Sequence, residues 1–154
     1  MNLASIVEPH PADAIALIGR GRTTTYGTLR EQVAAYRGGL AGLGLQPGDR
    51  VGIIAGTNWY FVATYLAVIG GGYVAVPLNP LSPARELERE LAVVRARAVF
   101  VGPSGRSEFT GVDRSRLSSL EHVIEADGEL AGAISLEDLL RACLLYTSPS
   151  PRDS

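Results

Sequence analysis

Residues 58–87 read Asn-Trp-Tyr-Phe-Val-Ala-Thr-Tyr-Leu-Ala-Val-Ile-Gly-Gly-Gly-Tyr-Val-Ala-Val-Pro-Leu-Asn-Pro-Leu-Ser-Pro-Ala-Arg-Glu-Leu, with no charge before Arg85. Glycine and proline interrupt the apolar run, which predicts a buried helix, a short buried strand, a turn and the start of another helix. A membrane span is the alternative, since the uncharged run is about 20 residues long. We favour the helix and strand, because Gly70–Gly72 divide the run and Tyr73–Val76 favour a strand.

The same alternation of strand and helix continues on both sides of this stretch. Apolar residues at helical spacing, such as Leu29, Val33 and Tyr36, predict amphipathic helices, and short apolar runs between turn residues predict strands. The predicted strands are 14–19, 22–25, 51–55, 73–76, 98–102 and 122–125, and the predicted helices are 2–8, 26–43, 59–69, one beginning at Pro83 with Ser82 as its N-cap, and 135–141. We therefore expect an α/β fold, with a mostly parallel sheet, helices on both of its faces and an N-terminal β-hairpin.

Composition excludes several classes of function. The formal net charge of −2 over 154 residues gives no electrostatic reason to expect nucleic acid as a partner. The sequence contains no lysine, which excludes a phosphate-loop lysine or a Schiff-base lysine within it. The single cysteine, Cys143, excludes an internal disulfide and a cysteine metal cluster. The first residues lack the features of a secretory signal, so we expect a cytoplasmic location.

One loop is a candidate binding site. Gly56, Thr57 and Asn58 connect a predicted strand to the helix that Asn58 caps, so their backbone N–H groups could bind an anion. We favour a plain capped connection, since short loops of this kind are the norm. Similarly, the aromatic residues that follow could line an apolar pocket, but core packing is the interpretation we favour; they are Trp59, Tyr60, Phe61 and Tyr65.

The remaining titratable residues predict neither catalysis nor metal binding. His10 and His122 each lack a paired ligand or nucleophile in the sequence. The carboxylates of residues 86–90 fit a charged outer helix face better than a catalytic pair. We therefore predict no catalytic residue, no cofactor-binding residue beyond the alternative loop site, and no metal site in this chain.

Several short motifs resemble the adenylate-forming (AMP-binding) superfamily, which includes acyl-CoA synthetases. The matching residues are Thr25-Tyr26, Gly48-Asp49-Arg50-Val51, Pro77-Leu78-Asn79-Pro80 and Glu86-Leu87. The resemblance covers roughly residues 2–142 and is strongest over 48–102. It implies the N-terminal portion of the large domain of an acyl-CoA synthetase-like enzyme. The run from Pro77 to Pro83 is most similar to fatty or aryl acid–CoA ligases.

The resemblance also implies a reaction. Such enzymes join a small carboxylic acid to CoA: ATP and Mg are used to form an acyl-adenylate, and the acyl group then passes to the CoA thiol. The family's phosphate loop ends in a lysine, and this sequence has none. We therefore expect an N-terminal fragment that is inactive alone and whose partner is the missing remainder of the enzyme. The alternatives are an independent anion- or nucleotide-binding module and a structural subunit.

The last twelve residues need a separate interpretation. Leu145-Tyr146-Thr147-Ser148 resembles the opening of the phosphate loop, but Pro149 and Pro151 then stand where that loop needs glycine. Proline offers no N–H to a phosphate and does not adopt positive φ. Residues 143–154 resemble translated sequencing adapter, so we predict an incomplete AMP-binding-type domain over 1–142 and a non-native tail over 143–154.

Overall fold

An antiparallel hairpin precedes the main sheet. A computed structural model of the protein describes residues 2–19 and 21–147, and the side chains of these residues through Arg141. A 3-10 helix spans Leu3–Val7, and strands β1 (Ile15–Gly19) and β2 (Arg22–Thr25) then pair with each other. Both predicted strands are confirmed. The predicted turn between them includes Arg20, which lies outside the described residues.

Helix α1 follows the hairpin directly and spans Tyr26–Gly42. The Thr25 side chain accepts a hydrogen bond from the Thr28 N–H at 3.2 Å, so the predicted N-cap is confirmed. The hairpin is held against this helix by backbone bonds from the Tyr26 N–H to the Ala14 carbonyl and from the Gly27 N–H to the Ala12 carbonyl. A two-stranded ribbon is marginal alone, and these bonds fix it to the rest of the molecule.

Five parallel strands form the central sheet. They are β3 (Arg50–Ile54), β4 (Val74–Leu78), β5 (Ala98–Val101), β6 (His122–Glu125) and β7 (Ile134–Ser135). The strand order is β4-β3-β5-β6-β7, and each neighbouring pair is parallel. The chain thus leaves β3 for β4 on one side and returns to β5 on the other. This reversal creates a switch point between β3 and β5, where open α/β sheets bind ligands.

Helices cover both faces of the sheet. One apolar cluster joins α1, α2 (Trp59–Gly70) and α5 (Leu136–Thr147) to the face that carries Val51 and Ile53. A second cluster joins α3 (Ala84–Val94) and α4 (Arg106–Phe109) to the face that carries Ile54 and Val99. Alternate strand residues point to opposite faces, which explains why these strands are apolar throughout. The expected α/β class is therefore confirmed.

Helix α2 owes its apolar sequence to burial inside the protein. Its buried residues include Tyr60, Ala63, Leu66 and Val68. Gly71 then ends the helix, and Gly72 adopts a φ of +82°, a left-handed conformation that favours glycine at the turn into β4. Among the described residues, no helix is both long enough and apolar enough to cross a membrane.

Three details differ from the sequence predictions. Pro83, not Ser82, occupies the N-cap position of α3, and no side chain caps that helix. Strand β7 was not predicted, because two residues are too short to produce an apolar run. Helix α5 continues past Arg141 to Thr147, whereas the prediction ends it at Arg141. The predicted capping box at its start is present, with Ser135 and Asp138 bonded reciprocally at 3.1 and 3.2 Å.

Candidate functional site

The Gly56–Asn58 loop lies at the switch point of the sheet, directly after β3. Asn58 caps α2, since its side-chain oxygen accepts a hydrogen bond from the Phe61 N–H at 3.1 Å. The Gly56 N–H donates to the Ser104 Oγ at 3.1 Å, and Ser104 belongs to the loop that follows β5. The backbone N–H groups of Gly56 and Phe61, which could have bound an anion, therefore already donate hydrogen bonds within the chain. The loop has the geometry of a capped βα connection, and the anion site stays a prediction.

The crevice beside this loop is filled by the protein's own atoms. A Cβ placed on Gly102 would lie 3.0 Å from the Ala55 Cβ, and one on Gly105 would lie 2.5 Å from the Ile54 Cγ2. The contact at Gly105 is too close for a Cβ without displacement of Ile54, and the contact at Gly102 is tight. The two loops at the switch point therefore pack against each other, and their glycines serve this contact.

The four aromatic residues of α2 do not surround a common pocket. Tyr60 is buried in the core and packs edge-on against Phe100, with ring centroids 6.3 Å apart. Phe61 and Tyr65 stack on each other at 5.7 Å on the partly exposed side of the helix. Trp59 instead faces the hairpin, where the Arg22 guanidinium lies 3.9 Å from its ring centroid. Trp59 lines an open cleft on this side of the helix.

That cleft lies between the hairpin and the start of α2, and its volume is about 510 Å³. The hairpin contributes one wall and the first turns of α2, with the loop before them, contribute the other. The lining residues are Leu17, Ile18, Gly19, Arg22, Thr24, Thr57, Asn58, Trp59 and Val62. Among the described residues that line it, the cleft combines apolar side chains with the cationic Arg22. It adjoins the predicted loop site through Thr57 and Asn58.

A buried carboxylate at the end of β6 was not predicted. The Glu125 side chain is fully buried and accepts hydrogen bonds from the Arg106 Nη2 at 2.7 Å and the Arg106 Nε at 3.0 Å. It also accepts from the backbone N–H groups of Asp127 and Glu129. Burial alone would raise the pKa of Glu125, but these four bonds and the Arg106 charge hold the pKa below its ordinary value.

The charge of Glu125 also affects a neighbouring phenol. Burial is the main reason why the pKa of Tyr60 lies well above its ordinary value, and the nearby Glu125 carboxylate raises that pKa further. The Tyr60 hydroxyl donates to the Ile124 carbonyl at 3.4 Å, which provides a partner inside the core. Tyr60 therefore stays neutral and has a structural role. The sequence signal for the buried carboxylate was a glutamate as the last residue of the predicted strand 122–125.

A second charged network lies at the opposite, amino edge of the sheet. Arg97 contacts the Asp49 carboxylate at 2.7 Å and the Glu121 carboxylate at 3.2 Å. These ion pairs connect the segments that lead into β3, β5 and β6. Burial raises the pKa of Asp49, but hydrogen bonds from Gln46 and Arg97 outweigh it and lower the pKa overall. His122 lies 3.8 Å from Glu121. Within the described residues, no three metal-ligating side chains form a group.

Comparison with known proteins decides the family. The family model described as "AMP-binding enzyme" matches residues 3–151 of the chain. The chain belongs to the AMP-binding enzyme family. This agrees with the resemblance carried by the sequence motifs.

Relatives of this AMP-binding chain include enzymes named as CoA ligases. A Mycobacterium tuberculosis 3-[(3aS,4S,7aS)-7a-methyl-1,5-dioxo-octahydro-1H-inden-4-yl]propanoyl:CoA ligase is 35% identical over 122 residues, 76% of this chain and 24% of the relative. A mitochondrial medium-chain acyl-CoA ligase of Pongo abelii is 26% identical over 147 residues, 84% of this chain and 24% of the relative. The chain thus spans about a quarter of the length of these relatives.

A solved structure shares the fold of this AMP-binding chain. The anthranilate CoA ligase AuaEII, in complex with anthranoyl-AMP, superposes with a TM-score of 0.83 at 27% identity. The superposition covers 92% of this chain and 28% of the ligase. The architecture described above is therefore similar to one part of that ligase.

The motif residues of this AMP-binding chain have structural roles. Thr25 caps α1, and Gly48 adopts a φ of +92° in the turn before β3. Asp49 closes that turn by accepting from the Gln46 N–H at 2.7 Å. Asn79 orders the turn after β4, since its side chain accepts from the Leu81 N–H at 2.9 Å. The motifs therefore specify turns and caps.

The phosphate-loop-like tail is only partly described. Leu145–Thr147 belong to α5. Residues 148–154, which include Pro149 and Pro151, lie outside the described residues. The division at residue 142 and the non-native origin of residues 143–154 stay predictions.

Proposed function

We propose that this chain forms the N-terminal part of an ATP-dependent carboxylic acid–CoA ligase. In that reaction a carboxylate oxygen attacks the α-phosphorus of ATP, releasing pyrophosphate, and the CoA thiol then displaces AMP from the acyl-adenylate. The observation that carries the proposal is the family match over residues 3–151, together with relatives named as CoA ligases. We propose a fatty or aryl acid as the substrate, from the Pro77–Pro83 motif.

The chain's own residues do not fit the cofactors of this reaction. The sequence contains no lysine to contact a phosphate, and the described part of the chain groups no three metal ligands. The Gly56 N–H at the switch point is bonded to Ser104. We therefore assign ATP, Mg and CoA to the remainder of such an enzyme and propose that this chain alone is inactive. Its contribution is a packed α/β layer that supports the remainder.

A chimera tests this role. Residues 3–142 would replace the matching segment of the Mycobacterium tuberculosis ligase, whose identity to this chain is 35%. We expect the chimera to catalyse ATP–pyrophosphate exchange with the parent's acid, and the isolated chain to show none with any acid. The parent ligase and the parent without its matching segment are the controls. Exchange by the isolated chain, or a folded chimera that does not catalyse exchange, would contradict the proposal.

The independent anion-binding module is tested separately, by calorimetry with phosphate, AMP and ATP on the isolated chain. The Ser104→Ala variant would free the Gly56 N–H, so an anion site in this loop would bind phosphate more tightly in that variant. The cytoplasmic location stays a prediction; the similar medium-chain acyl-CoA ligases are mitochondrial.

A further inference from the structure

We propose that Arg106 is a positioning residue at the carboxyl edge of the sheet, where it fixes the relative positions of the loops that follow β3, β5 and β6. The three loops are residues 55–58, 102–105 and 126–133. Open α/β sheets bind ligands at this edge. The inference rests on the proposed ligase function, because it concerns how this chain arranges the edge at which such an enzyme would bind its substrates.

The loops after β3 and β5 are joined by hydrogen bonds and by packing. The Gly56 N–H donates to the Ser104 Oγ at 3.1 Å, and the Gly102 N–H donates to the Ile54 carbonyl at 2.9 Å. A Cβ on Gly105 would lie 2.5 Å from the Ile54 Cγ2, so the backbone of the second loop packs directly on the end of β3. The position of one loop therefore depends on the position of the other.

Arg106 joins the loop after β5 to the loop after β6. It is the first residue of α4 and directly follows residues 102–105. Its Nη2 and Nε donate to the Glu125 Oε2 at 2.7 and 3.0 Å, and its Nη2 also donates to the Asp127 Oδ2 at 2.8 Å. Its Nη1 lies 3.2 Å from the Glu129 carboxylate. One guanidinium thus contacts the end of β6 and two residues of the loop after it.

Glu125 extends this connection to the backbone of the loop after β6. Its carboxylate accepts from the N–H groups of Asp127 and Glu129 at 3.2 and 2.7 Å. The Glu125 side chain is fully buried, whereas those of Asp127 and Glu129 are more than half exposed, and exposed ion pairs contribute little. A buried carboxylate without its cation is strongly unfavourable. The loop backbone therefore depends on Arg106 through Glu125.

The geometry of the Arg106–Glu125 pair favours a positioning role. A buried ion pair often stabilises a protein no more than an apolar pair of similar volume does, but a planar guanidinium fixes the direction of its acceptors. All partners in the network belong to the described part of this chain, so these contacts do not depend on which surfaces the rest of an enzyme would cover. Arg97 provides a comparison at the amino edge: like Arg106 it is 28% exposed, and it contacts two carboxylates.

Hydrogen–deuterium exchange of the full chain, read by mass spectrometry, tests the coupling between the loops. In Arg106→Gln, peptides covering residues 126–129 should exchange about tenfold faster, and those covering 55–58 about threefold faster, although Gly56 is bonded to Ser104 and not to Arg106. Arg97→Gln is the matched control and should leave both loops within about twofold of the wild type.

Two outcomes of this measurement would overturn the inference. They are unchanged exchange of residues 55–58 in Arg106→Gln, and an equal increase in Arg97→Gln. Arg106→Lys keeps the charge and loses the planar fork, so it should accelerate exchange of both loops by about threefold. This milder variant decides the matter if Arg106→Gln does not fold, and unchanged exchange in it would then contradict the coupling.

The chimera that carries residues 3–142 separates positioning from stability. Loss of folded enzyme lowers kcat and leaves KM unchanged, whereas displaced loops weaken substrate binding and raise KM. Arg106→Gln should raise the KM for ATP or for the acid about tenfold in ATP–pyrophosphate exchange, and Arg97→Gln should leave both KM values within about twofold. Unchanged KM values in an active Arg106→Gln chimera would overturn the positioning role. A folded chimera without exchange activity contradicts the proposed function instead, and hydrogen exchange of the full chain still decides the loop coupling.

Discussion

Replacing the buried Glu125 by glutamine removes a charge and preserves the shape of the side chain. The carboxylate accepts four hydrogen bonds, two from Arg106 at 2.7 and 3.0 Å and two from backbone N–H groups at 2.7 and 3.2 Å. A glutamine oxygen at the position of Oε2 can still accept from Arg106 and from the Asp127 N–H, but the two Arg106 bonds lose their anionic acceptor. The NH₂ group would then face the Glu129 N–H, so that bond is lost.

The structure sets the size of this effect. Each charge-assisted hydrogen bond contributes about 1.5–3 kcal/mol. Arg106 keeps partial compensation, because the Asp127 and Glu129 carboxylates lie 2.8 and 3.2 Å from it. Removing the buried charge also relieves part of its desolvation cost. We therefore expect Glu125→Gln to lower the free energy of unfolding by about 2–3 kcal/mol, and the melting temperature by about 5–10 °C.

Urea denaturation of the chain, followed by circular dichroism, measures this change. Glu137→Gln is the matched control, since Glu137 is an exposed helix carboxylate paired with Arg141 at 2.9 Å; it should cost less than about 0.5 kcal/mol. Equal stability of Glu125→Gln and the wild type at pH 7 would refute the reasoning.

The same substitution has a defined pH dependence. The pKa of Glu125 in the folded chain lies below its ordinary value, so the unfolded state binds the proton more readily. The stability that the carboxylate contributes is therefore fully present above about pH 5 and is lost as the pH falls through the lowered pKa. The difference between wild type and Glu125→Gln should shrink below about pH 4, and a difference that grows there would contradict the assignment.

Three further substitutions test the packing, the capping and the sheet edge. Gly39→Ala should destabilise the chain by about 1–3 kcal/mol in urea denaturation, because its Cβ would lie 2.5 Å from the Leu139 carbonyl oxygen; unchanged stability would exclude this contact between α1 and α5. Asn58→Ala should cost about 1 kcal/mol through loss of the α2 cap; no change would show that the cap bond is not formed. We expect the isolated chain to self-associate through its unpaired sheet edge at β4, where Val74 is 46% exposed. Val74→Lys should therefore reduce concentration-dependent light scattering, and unchanged scattering would exclude this edge as the contact between chains.

Local chemistry explains which parts of the fold were predictable. Thr25 and Asn58 were predicted as helix caps, because a short polar side chain just before apolar residues at helical spacing can accept a hydrogen bond from the first N–H groups of the helix. Both predictions are confirmed. The Gly70–Gly72 break and the β-prone residues after it correctly divided the uncharged run into a helix and a strand. In α3, by contrast, Pro83 occupies the cap position that the sequence suggested for Ser82.

Contacts between distant residues explain what the sequence could not predict. Arg106 and Glu125 are 19 residues apart and meet because β5 and β6 are adjacent, which only the strand order determines. The cleft likewise requires the hairpin to lie beside α2, and Arg22 carries no sequence signal for its stacking on Trp59. The Gly56–Ser104 bond joins two loops across the switch point and depends on the same tertiary arrangement.

The central claim is that this chain can serve as the N-terminal part of an acid–CoA ligase. The most direct measurement is mass spectrometry of the CoA thioester formed by the chimera that carries residues 3–142, supplied with ATP, Mg, CoA and the acid of the parent ligase. We predict the parent's acyl-CoA product from the chimera and none from the isolated chain. A folded chimera that yields no thioester, while the parent does under the same conditions, would contradict the account.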